Sequence, residues 1–331
     1  MYDALYNKID GLAYAKAINS VCAEFVDWLG KKYNYTPCFA IVMVGNNTAS
    51  EIYVRNKIKL AEKIGINARL IRLDKNISEA EVIDCVQNLN QNKQIHGIIM
   101  QLPLPQHIDV NAVLAAISPF KDLDGLTPLN VGLLHASKYV PYTIDESLQM
   151  FMYLKNNEQP SRDHNNILYK KIYNLGYNVP FIPCTALGCL YLLQHTLQKQ
   201  HDDLVGKNVI IFGNSNLVSK PLARLLLQSG ATTTTIHSRS QNYQPILSNA
   251  DIIISATGRR QDVNHIKKNA ILIDVGIRKI VEKNIITGDL DFLSLVKTNR
   301  ITPVPKGVGP MTVSSLMLNA VLATLRVTRG V

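Results

Sequence analysis

The sequence predicts an α/β protein built as two domains. Apolar runs typical of buried strands alternate with helical patterns in both halves of the chain, as in parallel sheets covered by helices. A length of 331 residues exceeds that of most single domains and suits two. Hydrophobic residues make up 47% and charged residues 18%, which indicates a globular chain rather than a disordered one.

In the first half, apolar and helical runs end at glycine or proline. "CFAIVMVG" ends at Gly45, the helix after it ends at Gly65, and "HGIIMQLPLP" is a strand broken by two prolines. Ser78 and Glu81 stand three residues apart, the spacing of a helix capping box. The predicted elements are a strand over 38–45, a helix over 50–65, a strand over 67–74, a helix over 78–91 and a strand over 96–105.

A second series of elements fills the other half, and a polar stretch separates the two. Residues 137–180 are rich in Asn and Tyr, with a helix expected near 144–156, where Thr143 and Glu146 repeat the capping-box spacing. We interpret this stretch as a linker or surface excursion rather than a functional lid. The later predicted elements are helices over 187–199, 219–230 and 311–330 and strands over 207–213, 231–239, 251–258, 270–276 and 300–305.

Charge and cysteine content limit the classes of partner and compartment. The net charge is +10, but the basic residues are scattered, which favours a generally basic surface over a nucleic-acid site. Five cysteines without C-x-x-C spacing predict reduced thiols rather than a disulfide framework or a zinc site. Because no signal-peptide core or long apolar run is visible, we expect a soluble, cytoplasmic protein without a membrane partner.

Two polar features follow the first-half strands. Tyr53 and Lys57 stand four residues apart on one face of a helix, either aimed at a substrate or as a core-edge tyrosine beside a solvated lysine. Gln101 ends an apolar strand, and ligands of open α/β sheets bind at the carboxyl ends of strands. Its side chain is either a backbone tether or a substrate positioner, and the residues alone favour the tether.

The stretch "VIIFGNSNLVSKPLARLL" predicts a phosphate site, because a strand, a glycine turn and a helix place backbone N–H groups toward an anion. The usual G-x-G-x-x-G pattern is replaced by Gly213, Ser215 and Ser219, so a tight turn without a ligand is the alternative. The next strand ends in "HSR" without a carboxylate. Ser238 and Arg239 there favour NADP over NAD, unless Arg239 only faces solvent.

Two loops complete the candidate site. In "SPFKDLDGLTPLN", Asp124 before Gly125 is typical of a turn. In "TPVPKGVGPMT" (302–312), glycines allow the backbone to approach a ligand closely, or serve a rigid connection between domains, or both.

Several motifs together resemble one family, bifunctional methylenetetrahydrofolate dehydrogenase/cyclohydrolase. The matching segments are "YVRNK", "GIIMQLPLP", "KDLDG", "IPCT" with "LGC", "TPVPKGVGPMT", "GNSNLVSKP", "ILIDVGI" and "TGDLDF". The resemblance runs from about residue 5 to the C-terminal helix, apart from the segment near 138–179.

The resemblance implies a domain plan and two reactions. An N-terminal α/β catalytic domain (1–137) would be completed by 303–331, a Rossmann-type NADP-binding domain would span 180–302, and folate would bind in the cleft between them. The segment 138–179 would be a linker or insertion, and homodimers are usual. Methylenetetrahydrofolate would give a hydride to NADP, with NAD possible and no metal, and water would convert the methenyl product to formyltetrahydrofolate. The substrates would be polyglutamylated tetrahydrofolate derivatives.

The same resemblance implies residue roles. Lys57 would activate water or shuttle a proton, Gln101 would hold Lys57, Tyr53 would stack on the aminobenzoate ring and Asp124 would accept hydrogen bonds from the pterin. Further substrate contacts would come from Leu102 and Pro310. The cofactor would be held by Gly213, Asn214, Ser215, Ser238, Arg239, Ile277, Gly307 and Gly309.

The chain departs from the family pattern at four places. Asn214 replaces a frequent arginine, Ser219 replaces a glycine, and Ala186-Leu187 replaces proline plus a polar or basic residue. Lys306 replaces a glycine and would be strained if its φ is positive. Two rival functions follow: a dehydrogenase of another small substrate without cyclohydrolase activity, and a non-catalytic basic binding module.

Overall fold

The computed structural model describes residues 7–136, 180–263, 265–280 and 285–328. The predicted linker over 138–179 and its helix near 144–156 lie outside these residues.

The described residues form two compact units. The three-stranded unit contains residues 17–136, 180–183 and 315–328, and the five-stranded unit contains 7–16 and most of 184–314. Residues 7–16 and 303–314 therefore group with the second half, whereas the sequence assigned them to the catalytic domain. The predicted domain boundaries remain a prediction.

The three-stranded unit is built on a parallel sheet in the order β2-β1-β3. Every residue of β1 is buried, so this strand is the centre of the core. Its elements are α1 (Gly11–Tyr33, from residue 17 onward), β1 (Cys38–Val44), α2 (Thr48–Lys63), β2 (Asn67–Leu73), α3 (Glu79–Gln91), β3 (Gly97–Gln101), α4 (Val110–Ala116) and α5 (Pro128–Ala136).

The five-stranded unit carries a parallel sheet in the order β10-β7-β6-β4-β5. When the strands of this sheet are numbered from one to five along the chain, their spatial order is the doubly wound arrangement 2-1-3-4-5. Successive strands are added on one side of β4 and then on the other, so the strand order reverses between β4 and β6. Its elements are α6 (Cys184–Gln198), β4 (Asn208–Phe212), α7 (Ser219–Gln228), β5 (Thr232–Ile236), α8 (Gln244–Leu247), β6 (Ile252–Ser255), β7 (Ile271–Asp274), β8 (Arg278–Ile280), β9 (Ile285–Thr287), α9 (Phe292–Leu295), β10 (Arg300–Ile301) and the first part of α10 (Val308–Thr328).

These two parallel sheets confirm the predicted α/β class, and local chemistry explains most element ends. The capping box of α3 is present, since Ser78 accepts a hydrogen bond from the Glu81 N–H and the Glu81 side chain accepts one in return. β3 and β10 are shorter than predicted, because the prolines that follow them cannot donate to a sheet. α6 begins at Cys184, three residues before its predicted start.

Helix α1 and the antiparallel pair β8–β9 were not predicted. A signal for α1 is present in the sequence, because its buried residues recur at helical spacing. They are Ala15, Ile18, Cys22, Phe25, Val26 and Leu29.

Helix α10 is long and apolar enough to cross a bilayer by length and composition, yet most of it is buried within the protein. One of its buried polar residues is bonded to loops of the protein: the Asn319 amide donates to Leu123 O at 2.8 Å and to Ile182 O at 3.3 Å. These contacts identify the second part of α10 as a core helix of the three-stranded unit.

Candidate active site

Strands β1 and β3 end side by side at the point where the order of the three-stranded sheet reverses. Met43 pairs with Gln101, and β2 lies on the other side of β1. Ligands of open parallel sheets bind outside the carboxyl ends of strands at such a reversal. The topology therefore places a candidate site at Gln101 and at the turn between β1 and α2.

Helix α2 carries Tyr53 and Lys57 away from this turn. The Asn47 side chain caps the helix by accepting a hydrogen bond from the Ser50 N–H at 3.1 Å. Lys57 is half-buried, and Tyr53 is 40% exposed, so an aromatic face is available to a ligand. Partial burial raises the pKa of the Tyr53 hydroxyl above its ordinary value.

Gln101 is both a tether and a positioner. Its Nε2 donates to the backbone oxygen of Leu102 at 2.8 Å, and its Oε1 accepts from Lys57 Nζ at 3.2 Å. Since a carbonyl oxygen only accepts, the first bond fixes the amide orientation and directs Oε1 toward the lysine. Gln101 therefore has both of the roles that the sequence left open, a tether to the backbone and a positioner of another side chain.

Ser50 is a site residue that the sequence reasoning missed. It is buried, and its hydroxyl donates to the Leu102 oxygen at 3.3 Å, the same oxygen that Gln101 uses. Helix α2 is thereby attached to the end of β3 one turn before Tyr53. The helical spacing of Ser50, Tyr53 and Lys57 was a visible signal, but the partner of Ser50 lies 52 residues away.

The two carboxylates of the loop after α4 have different surroundings. Asp122 is buried and accepts from the Thr127 N–H at 2.7 Å and from Asn130 Nδ2 at 2.9 Å, while burial raises the pKa of its carboxyl. Asp124 is partly exposed and has no hydrogen-bond partner among the described residues. Asp122 is thus structural, and Asp124 is available to a ligand.

A second candidate site lies where β4 and β6 end, at the reversal of the five-stranded sheet. Gly213 has φ +129°, and a Cβ there would lie 2.6 Å from Ser219 Oγ and 2.8 Å from Ala256 O. Ser215 Oγ accepts from the Val218 N–H at 3.1 Å at the start of α7. A turn that begins at a glycine without space for a Cβ and leads to a helix N-terminus fits a dinucleotide phosphate.

The side chains next to this turn are open to solvent. Asn214 is exposed at the turn, and Ser238 and Arg239 are exposed just after β5. Residues 237–242 contain no carboxylate, as the sequence indicated. Ile277, after β7, is 49% exposed.

The loop after β10 combines tight packing with an unusual backbone. A Cβ on Gly307 would overlap the Pro303 oxygen, and Gly11 packs equally closely on the Gly307 oxygen. Gly309 is exposed and Pro310 is half-buried in the first turn of α10. Lys306 has φ +82°, so the condition for strain stated from the sequence is met.

Known proteins resemble the chain over nearly its whole length. The model of the tetrahydrofolate dehydrogenase/cyclohydrolase catalytic domain matches residues 9–124, and that of the NAD(P)-binding domain matches 183–328. A bifunctional protein FolD from Rickettsia bellii is 42% identical over 320 residues, 96% of this chain and 98% of the relative.

The chain belongs to the tetrahydrofolate dehydrogenase/cyclohydrolase family.

Solved structures of this family share the fold. The bifunctional FolD enzyme of Campylobacter jejuni has a TM-score of 0.78 at 34% identity and covers 96% of this chain and 98% of its own. The Trypanosoma brucei dehydrogenase-cyclohydrolase, complexed with NADP cofactor and inhibitor, has a TM-score of 0.77 at 32% identity, with 97% and 98% covered.

Family membership confirms the predicted enzyme: an NAD(P)-linked methylenetetrahydrofolate dehydrogenase and methenyltetrahydrofolate cyclohydrolase. These similarities do not support either rival function. Among the described residues, no group of three or more His, Cys, Asp or Glu side chains is arranged to hold a metal ion.

The left-handed backbone of Lys306, in the loop after β10, predicts an effect of substitution on stability. We expect Lys306→Gly to raise the free energy of unfolding by about 0.5–1 kcal/mol, because relief of the left-handed backbone exceeds the added freedom of the unfolded chain. Chemical denaturation would measure this change. Lys268→Gly is the matched control, since Lys268 is also exposed in a turn but is not among the residues with positive φ. A loss of stability at position 306 equal to that at 268 would contradict the prediction.

Two buried aspartates connect the strand ends of this domain. Asp274 ends β7, and its carboxylate accepts from the N–H groups of Asp289 at 2.9 Å and Leu290 at 2.8 Å. Burial, together with the neighbouring Asp289 charge, raises the pKa of Asp274 to about 6 against the opposing effect of these bonds.

The raised pKa predicts a pH dependence of stability. A carboxyl that binds its proton more tightly when folded stabilises the protein fully below its unfolded pKa, and this contribution is lost as pH rises through 6. We expect the stability difference between wild type and Asp274→Asn to shrink by about 2 kcal/mol from pH 4.5 to 7.5. Urea unfolding at a series of pH values would measure it. A constant difference would contradict the raised pKa.

Proposed function

We propose that Lys57 carries the cyclohydrolase step of this enzyme and that Gln101 orients it. The observation that supports this assignment is the hydrogen bond of Lys57 Nζ to Gln101 Oε1 at the carboxyl end of β3. Because Gln101 is itself fixed on the Leu102 oxygen, the lysine is held in one direction.

Hydrolysis requires a base and then an acid. Water attacks the one-carbon unit of the methenyl cation, and neutral Lys57 takes the proton that the water loses. The bond from that carbon to one ring nitrogen then breaks while the new hydroxyl loses its proton to solvent, and the nitrogen recovers a proton from Lys57, which leaves a formyl group on the other nitrogen.

Tyr53 and Asp124 would bind the two ends of the folate ring system. An exposed tyrosine ring offers a face for the aminobenzoate, a contact that contributes on the order of 1 kcal/mol. The half-buried Asp124 carboxylate would accept N–H bonds from the pterin, and such charge-assisted bonds are strong. Leu102 and Pro310 would add apolar contacts.

For the dehydrogenase step we propose NADP rather than NAD. The turn of Gly213, Asn214 and Ser215 would hold the pyrophosphate, and Ser238 with Arg239 would bind the 2′-phosphate. The missing carboxylate after β5 and the exposed arginine support this preference. The backbone of Ile277, with Gly307 and Gly309, would meet the nicotinamide end, which accepts the hydride when bound.

The direct test supplies the purified protein with methylenetetrahydrofolate and follows the methenyl absorbance with NADP and, separately, with NAD. We expect a higher kcat/KM with NADP. Cyclohydrolase activity is then measured on methenyltetrahydrofolate alone. Absence of signal with both nucleotides would overturn the proposed roles of the cofactor residues, and a preference for NAD would overturn the proposed role of Arg239.

We further propose polyglutamylated folates as substrates, a homodimer as the assembly and the cytoplasm as the location. The net charge of +10 favours an anionic glutamate tail. Exposed isoleucines on the β8–β9 pair offer an apolar surface for a second copy: Ile280, Ile285 and Ile286. All five cysteines are free thiols, as a reducing compartment favours. The salt dependence of KM for a pentaglutamate substrate tests the first proposal. Light scattering tests the homodimer, and cell fractionation tests the location.

A further inference from the structure

Asp289 binds the end of β6 from a fully buried position. Its Oδ2 accepts hydrogen bonds from Ser255 Oγ at 2.8 Å, from the Thr257 N–H at 2.9 Å and from Thr257 Oγ1 at 2.9 Å. Burying a carboxylate is costly unless it is well bonded, and here one oxygen receives three donors. The side chain therefore fixes the backbone where β6 leaves the sheet.

The other oxygen of the same carboxylate faces the end of β7. Oδ1 is buried without a hydrogen-bond partner among the described residues. A Cβ on Gly276 would overlap this carboxylate, with Oδ1 as the nearest atom. Position 276 therefore has to be glycine, because its backbone packs directly on Asp289, one residue before Ile277.

Ser255 joins the two ends. Its backbone oxygen accepts from the Val275 N–H at 2.8 Å and the Gly276 N–H at 3.2 Å, while its hydroxyl donates to Asp289. The Asp274 carboxylate, at the end of β7, in turn accepts hydrogen bonds from the backbone N–H groups of Asp289 and Leu290. A shift of Asp289 would therefore be transmitted to the backbone of residues 275–277.

We propose that Asp289 is a positioning residue of the dehydrogenase reaction. It sets the backbone of residues 275–277 and 255–257 at the carboxyl ends of β6 and β7, through Gly276 on one side and Thr257 on the other. The inference rests on the proposed function, in which the backbone of Ile277 meets the nicotinamide end of NADP. Because Asp289 is fully buried, it would act through Gly276 and Thr257 rather than by direct contact with a ligand, and it would serve the cofactor reaction without a part in the hydrolysis.

The test compares the two activities of Asp289→Ala. We expect KM for NADP to rise at least tenfold and the thermal shift caused by NADP to fall to near zero, while cofactor-free cyclohydrolase activity stays within twofold. Asp251→Ala is the matched control. Asp251 lies just before β6, at the amino end of the same strand, where it pairs with Lys267. Its KM for NADP should be unchanged.

A second pair of variants tests the contact itself. Gly276→Ala should raise KM for NADP through the overlap with Asp289, and this effect should be at least threefold smaller in the Asp289→Ala background, where the space is open. Thr257→Val, which removes the hydroxyl donor and keeps the backbone bond, should give a smaller rise and serves if Asp289→Ala does not fold.

Equal loss of both activities in Asp289→Ala and Thr257→Val, or no change in KM for NADP, would overturn the inference. So would independent effects of Gly276→Ala and Asp289→Ala. If the wild-type protein lacked NADP binding or dehydrogenase activity, the proposed cofactor function would be overturned, and this inference with it. A failure of the inference alone would appear only in the variants, with the wild type active.

Discussion

Lys57→Met is expected to lower the cyclohydrolase kcat by about 10²–10⁴, the range that a positioned general base supplies. Methionine keeps an unbranched side chain only one atom shorter and removes the nitrogen that Gln101 Oε1 accepts from. Hydride transfer needs no base, so the dehydrogenase reaction should fall less, and methenyltetrahydrofolate should accumulate. Stopped assays that measure the methenyl and formyl products separately would show this accumulation.

Lys59→Met is the control for this prediction. Lys59 lies two residues further along α2, is exposed, and points away from the face that carries Tyr53 and Lys57. Both activities of that variant should remain within twofold of the wild type. An unchanged cyclohydrolase rate in Lys57→Met would contradict the role of Lys57 as base.

Gly213→Ala is expected to abolish detectable NADP binding and to lower the free energy of unfolding by about 2–4 kcal/mol. Two effects add: an alanine is strained at φ +129°, and its Cβ would press on Ser219 Oγ and Ala256 O. Since Ala256 O is backbone, the strand end or the turn has to move. The turn would then lose the geometry that receives a phosphate. Thermal shift with NADP and urea unfolding would measure the two effects.

Gly206→Ala separates strain from overlap. Gly206 lies in the same unit with φ +73°, but nothing lies within 4 Å of the position of its Cβ. We expect that variant to lose about 1 kcal/mol of stability and to keep NADP binding. If Gly213→Ala bound NADP as the wild type does, the turn after β4 would not be the phosphate site.

Much of the fold was predictable because its signals are local. β1 is apolar throughout, the capping box of α3 needs only Ser78 and Glu81, and the glycine turn after β4 marks a strand–helix junction. Helix α1 had an equally local signal that was overlooked. The β8–β9 pair had none, because its strands are three residues each and alternate weakly.

The candidate site was predictable in part. Its residue types were visible, but the spacing of Tyr53 and Lys57 did not distinguish a site from a helix surface, and the family resemblance supplied their roles. The contact of Gln101 with Lys57 joins residues 44 positions apart, and that of Asp289 with Ser255 joins residues 34 apart. Periodicity carries no information over such separations.

By itself, the sequence determined the α/β class, the strand–turn–helix junctions and the family, because these depend on neighbouring residues and on long ordered motifs. The tertiary structure alone decided which polar groups are bonded: that Asp122 is structural while Asp124 is open, that Gln101 has two partners, and that Lys306 has a left-handed backbone. The physical reason is that burial and hydrogen bonding are set by distant segments that meet only when the sheets form.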